Sequence, residues 1–509
     1  MQTAGRGGSQ GEAPVTGETG NGSVETTTNG LTRRGFLGVA AGAALAAGGL
    51  HGIPAGLGRP WQRLQGAPLV EPRRIYSRRG LLRVTLVAEE REAFVAGAWR
   101  KAIVYNRSCP GPTLVADPGD RIRLRLINRL SEATNLHTHG FHVSPEGNSD
   151  NVLIHIEPGE TFDFQFDIPR HHAPGLNWYH PHTHGHSTPQ QFGGMSGAVI
   201  FRSRAERRRS LPPMRDRVLV LQAPEWDDTG ELKTWSAHLL ASQLRLVNGQ
   251  LQPRIPIRHG ETQRWRILNA SVSDFFDLQL DGHRLVQIAA DGNPFSRPLE
   301  LDVVHIPPGA RAEVLVKAGR PGSYALRALP SDHGAGFISP ELVLATMESS
   351  RGRSGRPIST RELLQPLCDL REFPLARRRT VTFTMRGGFR IDDKPFDPDR
   401  VDQVAELNTV EEWTVVNASP LMHPFHIHVN PFQLTHIDGV PVDEPSYRDT
   451  VSVHPNGGSI TFRTLFADFP GRSLFHCHIV PHSDLGMTGV FEVDRPGDTP
   501  QAPPLVCPL

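Results

Sequence analysis

The sequence predicts an all-β protein built from three similar consecutive domains. Short runs of Val, Ile, Leu and Thr lie between turn signals, and Gly (50) and Pro (44) are plentiful. Helix-like apolar periodicity is scarce, so these runs are typical of strands. With 509 residues, 38% of them hydrophobic, the chain has enough material for about three domains of ordinary size.

One pattern, a turn followed by an alternating strand that ends in Asn, occurs three times. The copies are 119–128, 260–269 and 407–417. Alternation of apolar and polar residues is the pattern of a half-buried strand. The repeat therefore predicts three related β domains, which we place at residues 70–205, 212–345 and 380–495. Residues 346–379, rich in Arg, are expected to be a solvated linker, and residues 496–509 a C-terminal tail.

The N-terminal 55 residues predict an export signal preceded by a disordered stretch. Residues 1–30 are rich in Gly, Thr and Ser. Arg33 and Arg34 then precede a short segment of mostly Ala and Gly, which resembles a twin-arginine signal and is too short for a stable membrane span. We expect the twin-arginine export machinery as a partner, cleavage between Ala46 and Ala55, and a periplasmic or extracellular protein.

Charge and cysteine content narrow the functional classes further. The net charge of +1 gives no indication of a nucleic-acid partner. The four cysteines are too few for a dense disulfide framework. Cys109 and Cys507 are candidates for a disulfide that ties the tail to the first domain, and the alternative is that both are buried or unpaired thiols. No feature requires more than a monomer.

The segment from His476 to Met487 is the densest group of potential metal ligands. On a strand, His476 and His478 point to one side and Cys477 to the other, so one segment can serve two metal sites. Cys477, a His five residues later (His482) and Met487, with one more His, match the His2Cys site with a weak axial Met that is typical of electron-transfer copper. His423 is the obvious second His.

Four His-x-His pairs accompany this segment, and they occur only in the first and third copies of the repeat. At the corresponding positions the middle copy has Leu278 and Leu280, and Arg327 and Leu329. Residues i and i+2 of a strand share a face, so eight imidazoles are expected in one cluster between domains one and three, enough for three coppers. The middle domain would be a spacer. The pairs are His137 and His139, His180 and His182, His426 and His428, and His476 and His478.

These four motifs together resemble the copper-binding signatures of the multicopper oxidases, in particular the three-domain, laccase-like bacterial branch. The resemblance covers residues 70–495 and implies three cupredoxin-like Greek-key β-barrels with four copper ions. It implies a type 1 copper on His423, Cys477, His482 and Met487. It further implies a type 2 copper on His137 and His426, and a type 3 pair on His139, His180 and His478 and on His182, His428 and His476.

The resemblance also implies a reaction and a proton supply. Electrons from a small reducing substrate arrive near His482, pass through Cys477, and reduce O2 to water at the three-copper cluster. Asp150 resembles the acid that serves this cluster, with Glu146 as the alternative. A second acid usually follows the last His of the motif, but here Ser483 occupies that position and Asp484 comes next. His142, His184 and His186 are candidates for orienting ligands.

The donor is expected to be a phenol or an aromatic amine, as for a laccase. Methionine as axial ligand suggests a low potential and easily oxidised donors, among which Cu(I), Fe(II), Mn(II) and bilirubin-like tetrapyrroles are the alternatives. The seven Met residues are not clustered, which weakens a cuprous oxidase role. A copper nitrite reductase, an electron-transfer or storage protein, and a non-catalytic cell-division protein would each need fewer of the ligands that this chain retains.

Overall fold

The computed structural model describes residues 66–208, 210–211, 214–236, 244–352, 359–443 and 446–495. Strands dominate these residues and the helices among them are short, which confirms the predicted all-β class. The predicted export signal, the C-terminal tail and Cys507 lie outside the described residues. Each third of the described chain forms a pair of sheets around a core of its own.

Nine strands make up the first third. They are β1 (Arg74–Tyr76), β2 (Leu81–Val95), β3 (Ala98–Tyr105), β4 (Thr113–Ala116), β5 (Arg121–Asn128), β6 (His137–His139), β7 (Thr161–Asp167), β8 (Gly175–His180) and β9 (Gly197–Phe201). One sheet has the order β1-β4-β9-β8-β6 and the other β3-β2-β5-β7. Leu86 and Leu124 from the second sheet pack with Leu114 and Val199 from the first in one buried core.

The middle third has two larger sheets and one short hairpin. Its strands are β10 (Arg215–Gln222), β11 (Leu246–Val247), β12 (Arg254–Arg258), β13 (Thr262–Asn269), β14 (Phe276–Leu280), β15 (Leu285–Ala290), β16 (Asn293–Leu301), β17 (Val304–Ile306), β18 (Arg311–Lys317), β19 (Gly322–Ala328), β20 (Ser331–Asp332), β21 (Ile338–Ser339) and β22 (Leu342–Ser350). The sheet orders are β11-β10-β13-β18-β15-β16, β12-β22-β19-β14-β17 and β20-β21. Trp265 and Val314 pack on Leu326 and Leu344 between the larger two.

The last third repeats the two-sheet arrangement with an aromatic core. Its strands are β23 (Leu375–Thr384), β24 (Arg390–Ile391), β25 (Gln403–Glu406), β26 (Thr409–Asn417), β27 (His423–Ile427), β28 (Phe432–Ile437), β29 (Val440–Pro441), β30 (Tyr447–Arg448), β31 (Thr450–Val453), β32 (Gly458–Phe466), β33 (Gly471–Cys477) and β34 (Thr488–Asp494). One sheet has the order β24-β23-β26-β32-β28-β29, with β30 beside β28, and the other β25-β34-β33-β27-β31. Trp413 meets Phe475 (5.6 Å between ring centroids) and Phe425 meets Phe462 (5.3 Å) across the two sheets.

Among the residues that the structure describes, helical structure is limited to short elements at the connections. These are α1 (Ser187–Phe192), α2 (Arg204–Arg208) and α3 (Val480–Asp484), and the 3-10 turns Arg361–Leu363 and Leu370–Glu372. Within the residues that the structure describes, none of the helices has the length and apolar character needed to cross a bilayer.

The sequence repeat occupies the same place in each third. β5, β13 and β26 lie parallel to β2, β10 and β23 and antiparallel to β7, β18 and β32, respectively. The Asn at the end of each copy is fully buried. Its side chain accepts a hydrogen bond from the backbone N–H two residues later and donates to two backbone carbonyls, as Asn128 does to Glu132 and Ile156. The repeated Asn therefore fixes the turn that leads into β6, β14 or β27.

The structure decides one open alternative about the connections and corrects one prediction. Cys109 is a free thiol and Cys368 is disulfide-bonded, so the unpaired alternative holds for Cys109 and the Cys109–Cys507 bridge does not form. The linker predicted for residues 346–379 is wrong at its end, because β23 begins at Leu375. Arg379, assigned to a solvated linker, lies on β23. Its guanidinium pairs with Glu411 at 2.6 Å and lies 5.5 Å from the ring of Trp413, because a nearly buried Arg needs a charged or aromatic partner.

Candidate metal centres

Two pairs of antiparallel strands place the His-x-His motifs. In the first third, His137 on β6 lies opposite His180 at the end of β8. In the last third, His426 on β27 lies opposite His476 on β33. Side chains of directly opposite residues are close enough to interact. Each strand pair therefore brings two of the four motifs together. One strand of each pair, β6 or β27, directly follows the turn that the repeated Asn fixes.

The eight histidines of these motifs form one cluster between the first and last thirds. The ring of His137 stacks on that of His428, and the ring of His139 stacks on that of His426, each with centroids 3.8 Å apart. The Nε2 atoms of His182 and His476 are 3.0 Å apart. All eight are buried except His182, which is partly buried. Ring nitrogens in several overlapping trios lie within 4.8 Å of one another, close enough to hold a metal ion; these include His137, His426 and His428, His137, His139 and His180, and His182, His428 and His476.

Hydrogen bonds to the outer ring nitrogens favour metal binding at the inner ones. Nδ1 of His180, His426 and His476 each faces a backbone carbonyl, at 2.9, 2.8 and 2.9 Å. A carbonyl only accepts, so Nδ1 carries the proton and the Nε2 lone pair points into the cluster. The Nε2 atoms of His180 and His426 have no hydrogen-bond partner among the described residues. Buried unpaired lone pairs are costly, and metal ions would satisfy them.

Burial also favours the neutral, metal-binding form of the histidines in the cluster. It lowers the pKa of His180, His426 and His476 well below the usual value, and neighbouring imidazoles lower it further. These rings are therefore neutral at neutral pH, the form that ligates a metal. The residues present fit a cluster of copper ions.

A second centre lies on the other side of β33. The Sγ of Cys477 is 3.3 Å from Nδ1 of His423 and 3.8 Å from Nδ1 of His482. Ser419 Oγ lies 2.7 Å from Nε2 of His423, which leaves Nδ1 for a metal. Burial raises the pKa of the Cys477 thiol, so a thiolate here needs a cation beside it. Two imidazoles and a thiol fit an electron-transfer copper.

Met487 and Phe389 complete the surroundings of this centre. Met487 is fully buried, and its backbone holds the site together: its carbonyl accepts from Cys477 N–H and its N–H donates to the His482 carbonyl. The ring of Phe389 stacks on that of His482, with centroids 4.2 Å apart and planes 18° apart. Both rings are almost fully buried. Sequence reasoning missed Phe389, which has no spacing relation to the ligands.

Of the acids named from the sequence, Asp150 contacts the cluster. Its carboxylate, which is fully buried, accepts from His137 Nδ1 at 3.0 Å and from Thr138 N–H at 2.8 Å. Glu146 is exposed. The carboxylate of Asp484 accepts from Gly185 and Thr188 near the start of α1, and burial raises its pKa to about 6.

The three other histidines near the motifs have partners of a different kind. His142 lies 2.9 Å from the Val429 carbonyl through Nδ1 and 2.9 Å from Asp468 through Nε2. His184 packs on Phe396, and His186 pairs with Glu132. None of these contacts is with a candidate ligand.

Asp449 and Thr450 were not found from the sequence, although they contact the cluster directly. The carboxylate of Asp449 lies 3.0 Å from Nε2 of His139, and the Thr450 hydroxyl lies 3.2 Å from the same nitrogen. Burial raises the pKa of Asp449, and the guanidinium of Arg311 opposes this shift. The pair sits at the start of β31, far in sequence from the His139 that it holds, so no local motif marks it.

Known proteins with similar sequences or structures include multicopper oxidases, a laccase and a cell division protein. Three sequence models described as multicopper oxidase match residues 87–206, 176–341 and 371–497. A laccase from Bacillus stratosphericus is 25% identical over 77% of this chain and 91% of the relative. Cell division protein FtsP of Edwardsiella tarda (strain FL6-60) is 28% identical over 91% of this chain and 99% of its own. A solved multicopper oxidase from Campylobacter jejuni, described as a metallo-oxidase, aligns with a TM-score of 0.74 and 26% identity over 85% of this chain and 96% of that one.

Buried imidazole and thiol donors carried by the first and last of three β domains define a copper protein of cupredoxin-like architecture. The chain belongs to the multicopper oxidase family, whose models together match residues 87–341 and 371–497. It is accordingly a copper-dependent oxidoreductase with oxygen as the electron acceptor.

Proposed function

We propose that this protein is a laccase-like oxidase that oxidises phenols or aromatic amines one electron at a time and reduces O2 to water. The observation that carries the proposal is the pair of centres on opposite faces of β33. His476 lies in the eight-histidine cluster, and Cys477, the next residue, faces His423 and His482. One strand therefore links the donor side to the oxygen side through covalent bonds.

Four copper ions would be held by the twelve donors. The type 1 copper would take His423, Cys477, His482 and Met487; the type 2 copper His137 and His426; and the type 3 pair His139, His180 and His478, and His182, His428 and His476. When bound, the ions would supply one-electron oxidation at the first centre and reduction of oxygen at the cluster. The carbonyls that face Nδ1 of His180, His426 and His476 would keep these rings in the ligating tautomer.

The surroundings of His482 favour an aromatic donor. Phe389 covers the imidazole, and the backbone around Phe389 and Phe396 packs against Gly486. An apolar, aromatic cover suits a ring that can stack, whereas a metal-ion donor would need ligands there, sulfur for Cu(I) and oxygen for Mn(II). The proposal includes export by the twin-arginine route. The protein would then act as a monomer in the periplasm or outside the cell.

The test is oxygen uptake by the copper-loaded protein, with a methoxyphenol and with Cu(I) side by side. Fast uptake with the phenol and little with Cu(I) is the expected result. The reverse would make the protein a metallo-oxidase, as the Campylobacter jejuni protein is described. No uptake with either donor in a blue protein would overturn the proposal.

Replacing Met487 with Leu is expected to raise the reduction potential of the type 1 copper. A thioether stabilises the oxidised ion more than an apolar side chain does, so its loss favours the reduced ion. The expected rise is on the order of 59 mV, which is a tenfold change in the equilibrium constant of a one-electron couple. Redox titration of the blue band measures the shift. An unchanged potential would show that Met487 is not axial.

Phe389→Ala is expected to reduce the preference for aromatic donors. Removing the ring exposes His482 to donors that cannot stack, while aromatic donors lose a contact worth about 0.5–1.5 kcal/mol. The ratio of kcat/KM for methoxyphenol to that for ferrocyanide should therefore fall about 2- to 12-fold. Phe396→Ala, in the same segment but packed on His184, is the matched control. Equal ratios in both variants would contradict a role for Phe389 in donor choice.

A further inference from the structure

Arg311, from the ligand-free middle third, is a fully buried guanidinium that contacts both neighbours. Its two terminal nitrogens donate to the carboxylate of Asp449 in the last third, at 2.6 and 2.7 Å. Its Nε donates to the Leu176 carbonyl in the first third at 3.2 Å. This two-pronged geometry fixes both the position and the plane of the carboxylate.

Asp449, held in this way, touches a candidate ligand from each neighbouring third. Its carboxylate lies 3.0 Å from Nε2 of His139, and its backbone carbonyl accepts from Nδ1 of His426 at 2.8 Å. Because Nε2 of His139 is engaged on the outside, Nδ1 faces the cluster, where it lies 3.2 Å from Nε2 of His478. The orientation of two rings therefore depends on one carboxylate and its backbone.

Asp291 holds the same residue from the backbone side. One carboxylate oxygen accepts from the N–H groups of Asp449 and Thr450, at 3.2 and 3.3 Å. The other accepts from the N–H of Arg311 at 2.9 Å. Asp291 is also buried. The middle third thus forms hydrogen bonds with both the side chain and the backbone of Asp449 at the start of β31.

The first third leaves room for this contact at Gly140, directly after the first His-x-His motif. A Cβ built on Gly140 would collide with Nη2 of Arg311 and with the amide of Asn177. Gly140 also has a φ of 87°, which side chains rarely adopt. Gly309 of the middle third lies against the ring of His478 in the same manner. The middle third is therefore packed into the cluster on two sides.

We propose that Arg311 and Asp291 are positioning residues of the oxygen-reducing copper cluster, which act by holding Asp449 against His139 and His426. The middle domain is then more than the spacer that its lack of ligands predicts, because it supplies the groups that orient ligands from both neighbours. The inference rests on the proposed copper assignment, but not on the identity of the donor. Outer groups that orient metal ligands change metal affinity or activity about 10- to 100-fold when they are removed.

The experiment compares Arg311→Lys with Arg266→Lys in the full-length, copper-loaded protein. Lysine keeps the charge but cannot make two parallel hydrogen bonds to one carboxylate. Arg266 is an equally buried Arg of the middle third that pairs with Asp216 and Glu313, so its replacement controls for general destabilisation. The measurements are the blue type 1 band, the type 2 electron paramagnetic resonance signal, and copper retention during titration with a chelator.

Arg311→Lys is expected to keep the blue band, which reports an intact last third. It should lose copper from the cluster to the chelator about 10- to 100-fold more readily than the parent protein does. The type 2 electron paramagnetic resonance signal should change as this copper is lost. Arg266→Lys should behave as the parent does. Parent-like retention and signal in Arg311→Lys, or equal loss in Arg266→Lys, would overturn the inference. If Arg311→Lys yields no blue protein, Asp291→Asn decides by the same measurements. Donor oxidation is not a readout, so failure of the laccase assignment would be seen separately.

Discussion

Cys477→Ser is expected to abolish both the blue absorption and the oxidation of any donor. The Sγ atom lies 3.3 Å from Nδ1 of His423 and 3.8 Å from Nδ1 of His482. A hydroxyl at this position cannot form the copper–thiolate bond that produces the colour and supports fast electron transfer. The fold should persist, because the exchange is nearly isosteric. A hydroxyl oxygen can still accept from the Ile479 N–H that donates to Sγ at 3.4 Å, and the backbone hydrogen bond from Cys477 to Met487 is unchanged.

The matched control is Cys109→Ser, which replaces the other free thiol in the described part of the chain. Cys109 contacts the side chain of Gln222 at 3.6 Å, far in the sequence from any candidate ligand. This variant should remain blue and active. Donor oxidation is followed by oxygen uptake and the colour by visible absorption. A blue, active Cys477→Ser protein would remove Cys477 from the type 1 site, and loss of colour in both variants would indicate a general effect on folding.

The candidate ligands could be predicted from the sequence because they occur in short local patterns. A pair of His at i and i+2 on a strand must share a face, and Cys477 between His476 and His478 must face the other way. The three-domain fold could be predicted for a similar reason, since each copy of the repeat carries the same strand and the same terminal Asn. These signals depend only on residues near one another in the chain.

The residues that contact the candidate ligands from outside could not be predicted in this way. Arg311 and Asp449 are 138 residues apart in sequence, and neither lies in a motif. The tautomers of His180 and His476 are set by backbone carbonyls, which every residue has. The sequence around Arg379 resembles a solvated linker. Its partner Glu411 lies on a neighbouring strand, so the nearby sequence does not reveal the pair. Such contacts are set by strand pairing, which the repeat predicts only in outline.

The choice between a disulfide and a free thiol at Cys109 could not be made from the sequence for a related reason. Cys109 lies next to Gln222, and its thiol is free. Counting cysteines gives the possible pairs but not their separation in space. Burial raises the pKa of Cys109 to about 12, so it is also a poor nucleophile.

Asp150→Asn is expected to lower oxygen reduction about 10- to 100-fold, the usual effect of removing a group that orients a metal ligand. The carboxylate accepts from Thr138 N–H and from Nδ1–H of His137. In the variant, the amide oxygen of the new side chain can accept from Thr138 N–H. Its NH2 group then faces Nδ1–H of His137, and two donors cannot form a hydrogen bond. The proton of His137 would move to Nε2, the nitrogen that faces the cluster, and the type 2 copper would lose a ligand.

Three measurements separate the roles that Asp150 can have. The blue band and its reduction by donor should stay normal, because His423, Cys477 and His482 do not contact Asp150. Copper content should fall together with oxygen uptake if the carboxylate acts by fixing the tautomer of His137. Full copper content with slow uptake would assign Asp150 to proton delivery instead. Glu146→Gln is the control, since Glu146 is exposed and should change neither quantity. Parent-like uptake in Asp150→Asn would exclude Asp150 from both roles.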